Sequence, residues 1–353
     1  MAQIRERVTK SGKKSYLVRI RIKGFDEVTA TFSRKTDATR WAQEEEVKMR
    51  SGRYLKVAEA SRHTLSDAIR RYCDQVLIHN EKTLENYRHH LGFWRERIGN
   101  KLLSEVTTPL IAQLRDELKS EVTVRGKLRS SGTVNRYLAA LSAVLSTASN
   151  EWQWIELNPV RKVKKFTEPK GRVRFLSDDE RESLLDACRN SDSRGLYLAV
   201  IIALSTGARR MEVWGLKWSD VDLKKGILYF KDTKNKETRS VPIQGVALEL
   251  LRDFSRVRRI DTERIFPSKT NPENPFDFRS PFLKALKEAQ VDDFTWHDLR
   301  HSCASYLVMN GVQLRTVAEI LGHKTFQMVM RYSHLSPDHL KDAISGMNRT
   351  IFK

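Results

Sequence analysis

Six residues in the second half of the chain form a pattern suited to phosphoryl chemistry: Arg209 in TGARRME, Lys234 in DTKN, His297 and Arg300 in an H-x-x-R, His323 in LGH, and Tyr332 nine residues later. Five are cations or can become so, and the sixth is a phenol. A planar guanidinium grips two phosphate oxygens at once, so the arginines and histidines could hold a phosphodiester while the phenol attacks it. A lysine ammonium on its flexible stem could give a proton to the departing oxygen. The chemistry expected is scission of a phosphodiester with the broken end kept on the protein, and the expected substrate is DNA.

Each piece is weak alone. Arg209 and Arg210 follow Thr206-Gly207 at the end of an apolar run, where a turn can aim a guanidinium from rigid support, and Glu212 three residues on could hold that fork in orientation. An arginine beside a helix end is still more often a surface charge. His297 and Arg300 share a helical face, but with 9 His and 64 Lys+Arg such a pair arises by chance. Asp298 reads as a capping or salt-bridging residue and His301 as a neighbouring spectator. Gly322 marks a helix end just before His323. Tyr332 lies three after Val329 and four after Met328, where a helical aromatic is usually core, while Arg331, Ser333 and His334 argue against that. Lys234 has basic neighbours in Lys231, Lys236 and Arg239, and is preferred for its position between Thr233 and Asn235.

The chain that must position these residues has 353 residues, a formal net charge of +20 and a pI of about 9.9, which favours a polyanionic partner. Its 40% hydrophobic content suffices for real cores in two or three domains. The longest apolar run, Leu196 to Leu204, is far short of the roughly 20 residues that span a bilayer, so a cytoplasmic protein with no membrane partner is expected. Cys73, Cys188 and Cys303 form no C-x-x-C pair and read as reduced thiols.

The expected architecture is multidomain and mainly α. Over residues 1 to 35, Ile4, Val8, Tyr16, Val18, Ile20, Ile22, Val28, Ala30 and Phe32 alternate as in three short strands broken at SGKK and KGFDE, with Arg5, Arg7, Arg19 and Arg21 on the other face. A helix over 36 to 49 contains Trp41 and stops at Ser51-Gly52. The first 60 residues hold 15 basic and 8 acidic side chains, and an arginine-lined sheet fits a major groove. A helical bundle follows, with a capping box at Thr64-x-x-Asp67 and Val134, Tyr137, Leu138, Leu141 and Leu145 at helical spacing. RKVKKFTEPKGRVR, with seven basic residues, reads as an exposed linker along a phosphate backbone. The last part is mostly helical, with a helix opened by Ser177-x-x-Glu180, a hairpin of GILYF and RSVPI around KDTKNKET, and a final helix begun by Ser336-Pro337. The boundaries expected are 1–58, 62–160, the linker 161–174, and 175–353.

Taken in order, TGARRME, TKN, HDLRH, LGH and the tyrosine in RYSHLSP closely resemble the signature of the tyrosine recombinase, or phage integrase, family. The motifs cover residues 206 to 334; the bundle resembles a core-site binding domain, the basic sheet an arm-type DNA-binding domain, and 175–353 a catalytic domain with a small antiparallel sheet. The resemblance implies that Tyr332 attacks to give a 3′-phosphotyrosyl link and a free 5′-hydroxyl. Arg209, Arg300 and His323 would hold the equatorial oxygens, His297 would help with proton transfer, and Lys234 would protonate the leaving 5′ oxygen. It implies no cofactor and no metal. A phenol of pKa near 10 leaves more readily than an alkyl hydroxyl, so the DNA can be resealed without ATP.

The partners implied are double-stranded DNA at attachment sites, a homo-tetramer on paired sites, and DNA-bending accessory proteins or an excision factor. The helical and catalytic halves would clamp the duplex, and Ile351 and Phe352 would dock on a neighbouring protomer. An integrase of a prophage or genomic island, integrating or excising a mobile element, is expected. A type IB topoisomerase, a telomere resolvase, a Xer-type resolvase and a DNA-binding regulator without catalysis are the alternatives; the extra N-terminal sheet favours an integrase.

Overall fold

The computed structural model describes residues 2–8, 14–22, 27–50, 59–78, 81–124, 126–169, 171–231, 238–335 and 339–352. Lys234, Lys236, Ser51-Gly52, Ser336-Pro337 and most of the breaks at SGKK and KGFDE lie outside these residues. The described chain is mainly helical with two small antiparallel sheets, as the patterning led us to expect; both have three strands, the second adding Val221–Asp222 to the expected hairpin, and the chain divides into two compact units, 1–170 and 171–353.

The first unit contains two separate cores. Strands β1 (Ala2–Val8), β2 (Lys14–Ile20) and β3 (Val28–Phe32) pair in that order, with Gln3 opposite Arg19 and Arg5 opposite Leu17. Helix α1 (Lys35–Arg50) lies over one face, where Val18 and Ile20 are buried with Ala38, Ala42 and Met49. Alanines four residues apart line one side of the helix and let its backbone approach the strands closely. Trp41 packs on Phe32 at 5.4 Å between ring centres. The other face carries the arginines, but Arg19 and Arg21 lie 2.7 and 2.5 Å from Glu27, so part of that charge is paired within the sheet.

Helices α2 (Leu65–Gln75), α3 (Glu81–Ile98), α4 (Thr108–Ser120) and α5 (Ser131–Asn150) enclose the second core. Thr64 and Asp67 exchange the reciprocal capping bonds that the sequence suggested. Val134, Tyr137, Leu138, Leu141 and Leu145 are all buried, and the enclosed Trp94 donates its Nε1–H to the Tyr137 carbonyl at 3.0 Å. The basic stretch after the bundle is less free than its composition implied. Val163 is buried, Phe166 packs against the bundle, and Asn135 and Phe166 exchange bonds of 2.8 and 3.0 Å. Two apolar residues three apart anchor a segment whose charge count suggested full exposure; Arg161, Lys162, Lys164 and Lys165 remain at the surface.

The second unit is built around helix α7 (Leu196–Thr206), whose apolar residues lie on every side and therefore require enclosure. Around its core lie α6 (Asp178–Arg189), opened by a Ser177–Glu180 capping box, the short α8 (Arg210–Trp214), a sheet of β4 (Val221–Asp222), β5 (Ile227–Lys231) and β6 (Thr238–Pro242), then α9 (Val246–Arg256), α10 (Arg279–Glu288) and α11 (Trp296–Met309). Helix α12 (Leu314–Leu321) packs with α11 over a smaller cluster, and α13 (His339–Ile351) ends the described chain. Cys73, Cys188 and Cys303 are free thiols, and burial pushes the last two up to about 12. Among the described residues no helix is long and apolar enough to cross a membrane.

Candidate active site

Two glycine turns bring the candidate residues together. Helix α7 ends at Gly207, whose φ of 60° is a left-handed conformation that a side chain disfavours, and α12 ends at Gly322 with φ 65°. The turns are tightly packed: a Cβ on Gly207 would sit 2.2 Å from Leu321 Cδ2, and one on Gly322 would sit 2.9 Å from Arg239 Cδ.

Arg209 caps the start of α8. Its backbone N–H donates to Glu212 Oε2 and its Nη1 to Glu212 Oε1, each at 2.7 Å, so Glu212 holds the guanidinium as the three-residue spacing suggested. Arg209 Nη2 also faces the Gly322 carbonyl at 3.4 Å. The second partner of Glu212 was not foreseen from the sequence. Arg239 of β6 donates from Nη1 and Nη2 to its two carboxylate oxygens at 2.9 and 2.7 Å, with its guanidinium 4.7 Å over the Phe230 ring. Strand alternation carried the signal, since Arg239 shares the inward face of β6 with buried Val241. Burial alone would raise the Glu212 carboxyl; the bonds from Arg239 and Arg209 together outweigh it and bring the group down to about 2. Lys231, another basic neighbour of the hairpin, pairs with Asp220 at 2.6 Å, while Lys234 lies outside the described residues.

Helix α11 supplies the next group. Asp298 closes a capping box with Thr295 and accepts from Arg172 at 2.8 Å, the structural role expected of it. Arg300 is only 4% exposed and donates to the Gly207 carbonyl at 2.7 Å. That carbonyl closes α7, where the helix dipole places partial negative charge beside the buried cation. Burial, then Arg209 and Arg239, lower Arg300 to about 10, which still leaves it charged at neutral pH. His297 does not follow Arg300 inward. It stays at the surface, its ring edge-on to His301 at 5.1 Å.

His323 follows Gly322, with its backbone N–H on the Ala318 carbonyl at 2.9 Å. Burial, then Arg300 and Arg209, push its imidazole down to about 4, and its Nδ1 is buried without a partner among the described residues. Tyr332 lies in a short 3-10 run, Met330–Leu335, rather than an α-helix, and is 2% exposed among Ala304, Val308, Val317, Leu321 and Val329. Its core-like spacing therefore outweighs its polar neighbours. Its hydroxyl and His301 Nδ1 share a hydrogen bond of 2.5 Å, so His301, read from sequence as a spectator, is the phenol's direct partner. Burial, against the pull of Arg331 and Arg300, pushes Tyr332 up to about 12, while burial and His297 bring His301 down to about 4, so both groups are neutral at pH 7.

Arg209, Arg300 and His323 are thus joined through the two glycine turns, and Tyr332 meets the same helix as Arg300 and His297 through His301. Such an arrangement can hold a phosphate between fixed cations beside a phenol.

The phage integrase family model matches residues 174–339. The chain is 33% identical over 252 residues to the putative integrase of Pseudomonas phage Pf1, covering 71% of this chain and 69% of that protein. It is 33% identical over 249 residues to the integrase of Haemophilus phage HP1 (strain HP1c1), covering 70% and 69%. A solved lambda integrase tetramer bound to a Holliday junction shares the fold, with a TM-score of 0.62 and 22% identity over 94% of this chain and 95% of that one.

Proposed function

The chain belongs to the phage integrase family, and we propose that it is a site-specific DNA recombinase that integrates or excises a mobile element through a covalent tyrosine link. Tyr332 is the nucleophile: its oxygen bonds to the scissile phosphorus, giving a 3′-phosphotyrosyl link and a free 5′-hydroxyl. Arg209, Arg300 and His323 hold the non-bridging oxygens as charge builds, His297 assists proton transfer, and Lys234 protonates the departing 5′ oxygen. Fixed donors of this kind are each worth about a hundred- to a thousand-fold in rate.

The observation that carries this reading is the convergence of Arg209, Arg300 and His323 on the Gly207 and Gly322 turns, within one unit that also holds Tyr332. Residues 1–58 act as an arm-type DNA-binding domain and 62–160 as a core-binding domain, with 161–174 between them and the catalytic part, 175–353. The exposed arginines of β1 and the surface cations at 161–165 support DNA as the partner of both. A homo-tetramer on paired attachment sites, assisted by DNA-bending proteins or an excision factor, is the working assembly. The tetrameric state of the lambda integrase relative supports it. The three-stranded sheet over residues 2–32 favours an integrase over a Xer-type resolvase.

The deciding experiment incubates the protein and Tyr332→Phe with a nicked suicide DNA bearing the element's own junction, then separates the products on a denaturing gel. A covalent protein–DNA band that vanishes in the variant is expected. Binding to a verified site without any covalent band would leave a DNA-binding protein that does not cut.

A further inference from the structure

Nucleophilic attack by a phenol needs a proton acceptor, and the structure places an imidazole nitrogen against Tyr332 from a residue that the six-residue signature does not include. We propose that His301 is a further catalytic residue, its Nδ1 taking the hydroxyl proton as the Tyr332 oxygen attacks phosphorus. This rests on the reading of Tyr332 as nucleophile. A nucleophile and a base within hydrogen-bond reach form the characteristic pair of covalent catalysis, and here they lie 2.5 Å apart. Among the described residues it is His301, not His297, that is hydrogen-bonded to the Tyr332 hydroxyl; the His297 ring stands 5.1 Å from that of His301, where it can assist the transfer only at one remove.

The step balances. The O–H bond of Tyr332 breaks as an N–H bond forms at His301 Nδ1, and the phenol oxygen bonds to phosphorus. The bond to the 5′ oxygen breaks, its electron pair leaving on that oxygen, which takes its proton from the general acid assigned to Lys234. On rejoining, the 5′-hydroxyl gives its proton back to Lys234 as its oxygen bonds to phosphorus, and His301 returns its proton to the departing phenol oxygen.

The charged and titratable groups around the imidazole are His297, Asp298 and Arg300 on its own helix, Arg331 and Tyr332 on the 3-10 run, and His323 after α12. Burial first, then the cationic neighbours, disfavour imidazolium in the free protein. A bound phosphodiester brings negative charge among those cations and relieves part of that penalty. A phenol oxygen also becomes strongly acidic as it bonds to phosphorus, so a weak base suffices when transfer accompanies bond formation.

The test uses the full chain in single turnover on DNA with a 5′-bridging phosphorothiolate, whose thiol leaving group needs no general acid, so a defect reports on the nucleophile's side alone. In His301→Asn the amide oxygen can stand where Nδ1 stood and keep the hydrogen bond, but it cannot take the proton. We expect this variant to bind DNA like the unaltered protein yet form the covalent band about 100-fold more slowly, with the deficit shrinking as pH rises. Histidine at 301 would then do more than hold the ring in place. An undiminished rate in the Asn variant would reduce His301 to packing, and a faster one would make the bond a brake; either overturns the assignment. Should the unaltered protein give no band, the nucleophile assignment fails and this one with it.

Discussion

Arg300 reaches across the second unit to donate to the carbonyl of Gly207 at 2.7 Å, so a buried guanidinium depends on the backbone of a left-handed turn. Substituting Gly207→Ala puts a methyl where Leu321 already sits and asks an L-residue for φ 60°. The conformational cost is about 1–2 kcal/mol and the overpacking about 1–3 kcal/mol. Urea unfolding should show a lower midpoint by the equivalent of about 2–5 kcal/mol, and covalent-complex formation should fall with it. A variant of unchanged midpoint would mean that the turn relaxes freely.

Glu212 binds two guanidinium groups and is 14% exposed at its side chain. Its carboxyl, held at about 2 rather than near its ordinary 4.5, contributes stability that is present above about pH 4.5 and lost as pH falls toward 2. The size is on the order of 3 kcal/mol. The difference in unfolding free energy between the unaltered protein and Glu212→Gln should be constant above about pH 5 and shrink through that acidic window. Parallel curves across the whole range, from neutral pH down to the bottom of that window, would rule out the linkage.

If residues 161–165 follow a phosphate backbone, then replacing Arg161, Lys162, Lys164 and Lys165 by Gln should flatten the dependence of log K on log salt by about 0.9 for each phosphate no longer neutralised. Arg172 and Arg174 behave differently. The first pairs with Asp298 and the second with Glu180, so their replacement should loosen the protein more than it alters the slope. Filter binding between low and moderate salt separates the two sets, and an unaltered slope in the fourfold variant would remove the stretch from the DNA interface.

Helix α13 exposes Ile344, Met347 and Ile351 at helical spacing, followed by the exposed Phe352. An apolar stripe of this kind suits contact with a second protomer. Deleting residues 346–353 should lower the sedimentation coefficient of the protein on paired sites while single-site binding stays intact. Identical sedimentation would end the idea.

Local rules made much of this legible in the sequence. Thr64 with Asp67, and Ser177 with Glu180, announced helix starts because a capping box needs only neighbours in sequence. The hydrophobic spacing of Val134 to Leu145 located the bundle core, and the Glu212 to Arg209 contact followed from a three-residue step. What escaped depends on partners far along the chain. Arg239 reaches Glu212 from 27 residues away, Arg300 reaches Gly207 across 93, and the Tyr332 hydroxyl meets His301 across 31. Spacing set His297 and Arg300 on neighbouring turns, yet only the packing of α11 against α7 decides that one sinks and the other stays out. Phe166 was overlooked because the basic residues around it dominated the composition.

The ion pairs of Glu27 make the N-terminal sheet a competitor rather than a passive cation. Any phosphate that engages Arg19 or Arg21 must first displace a carboxylate already in place, so binding there is an exchange of one anion for another. A fleeting contact gains little from such an exchange. If the sheet engages DNA as proposed, a duplex that also satisfies Arg5 and Arg7 would gain more, and Glu27 would widen the gap between casual and fitted DNA.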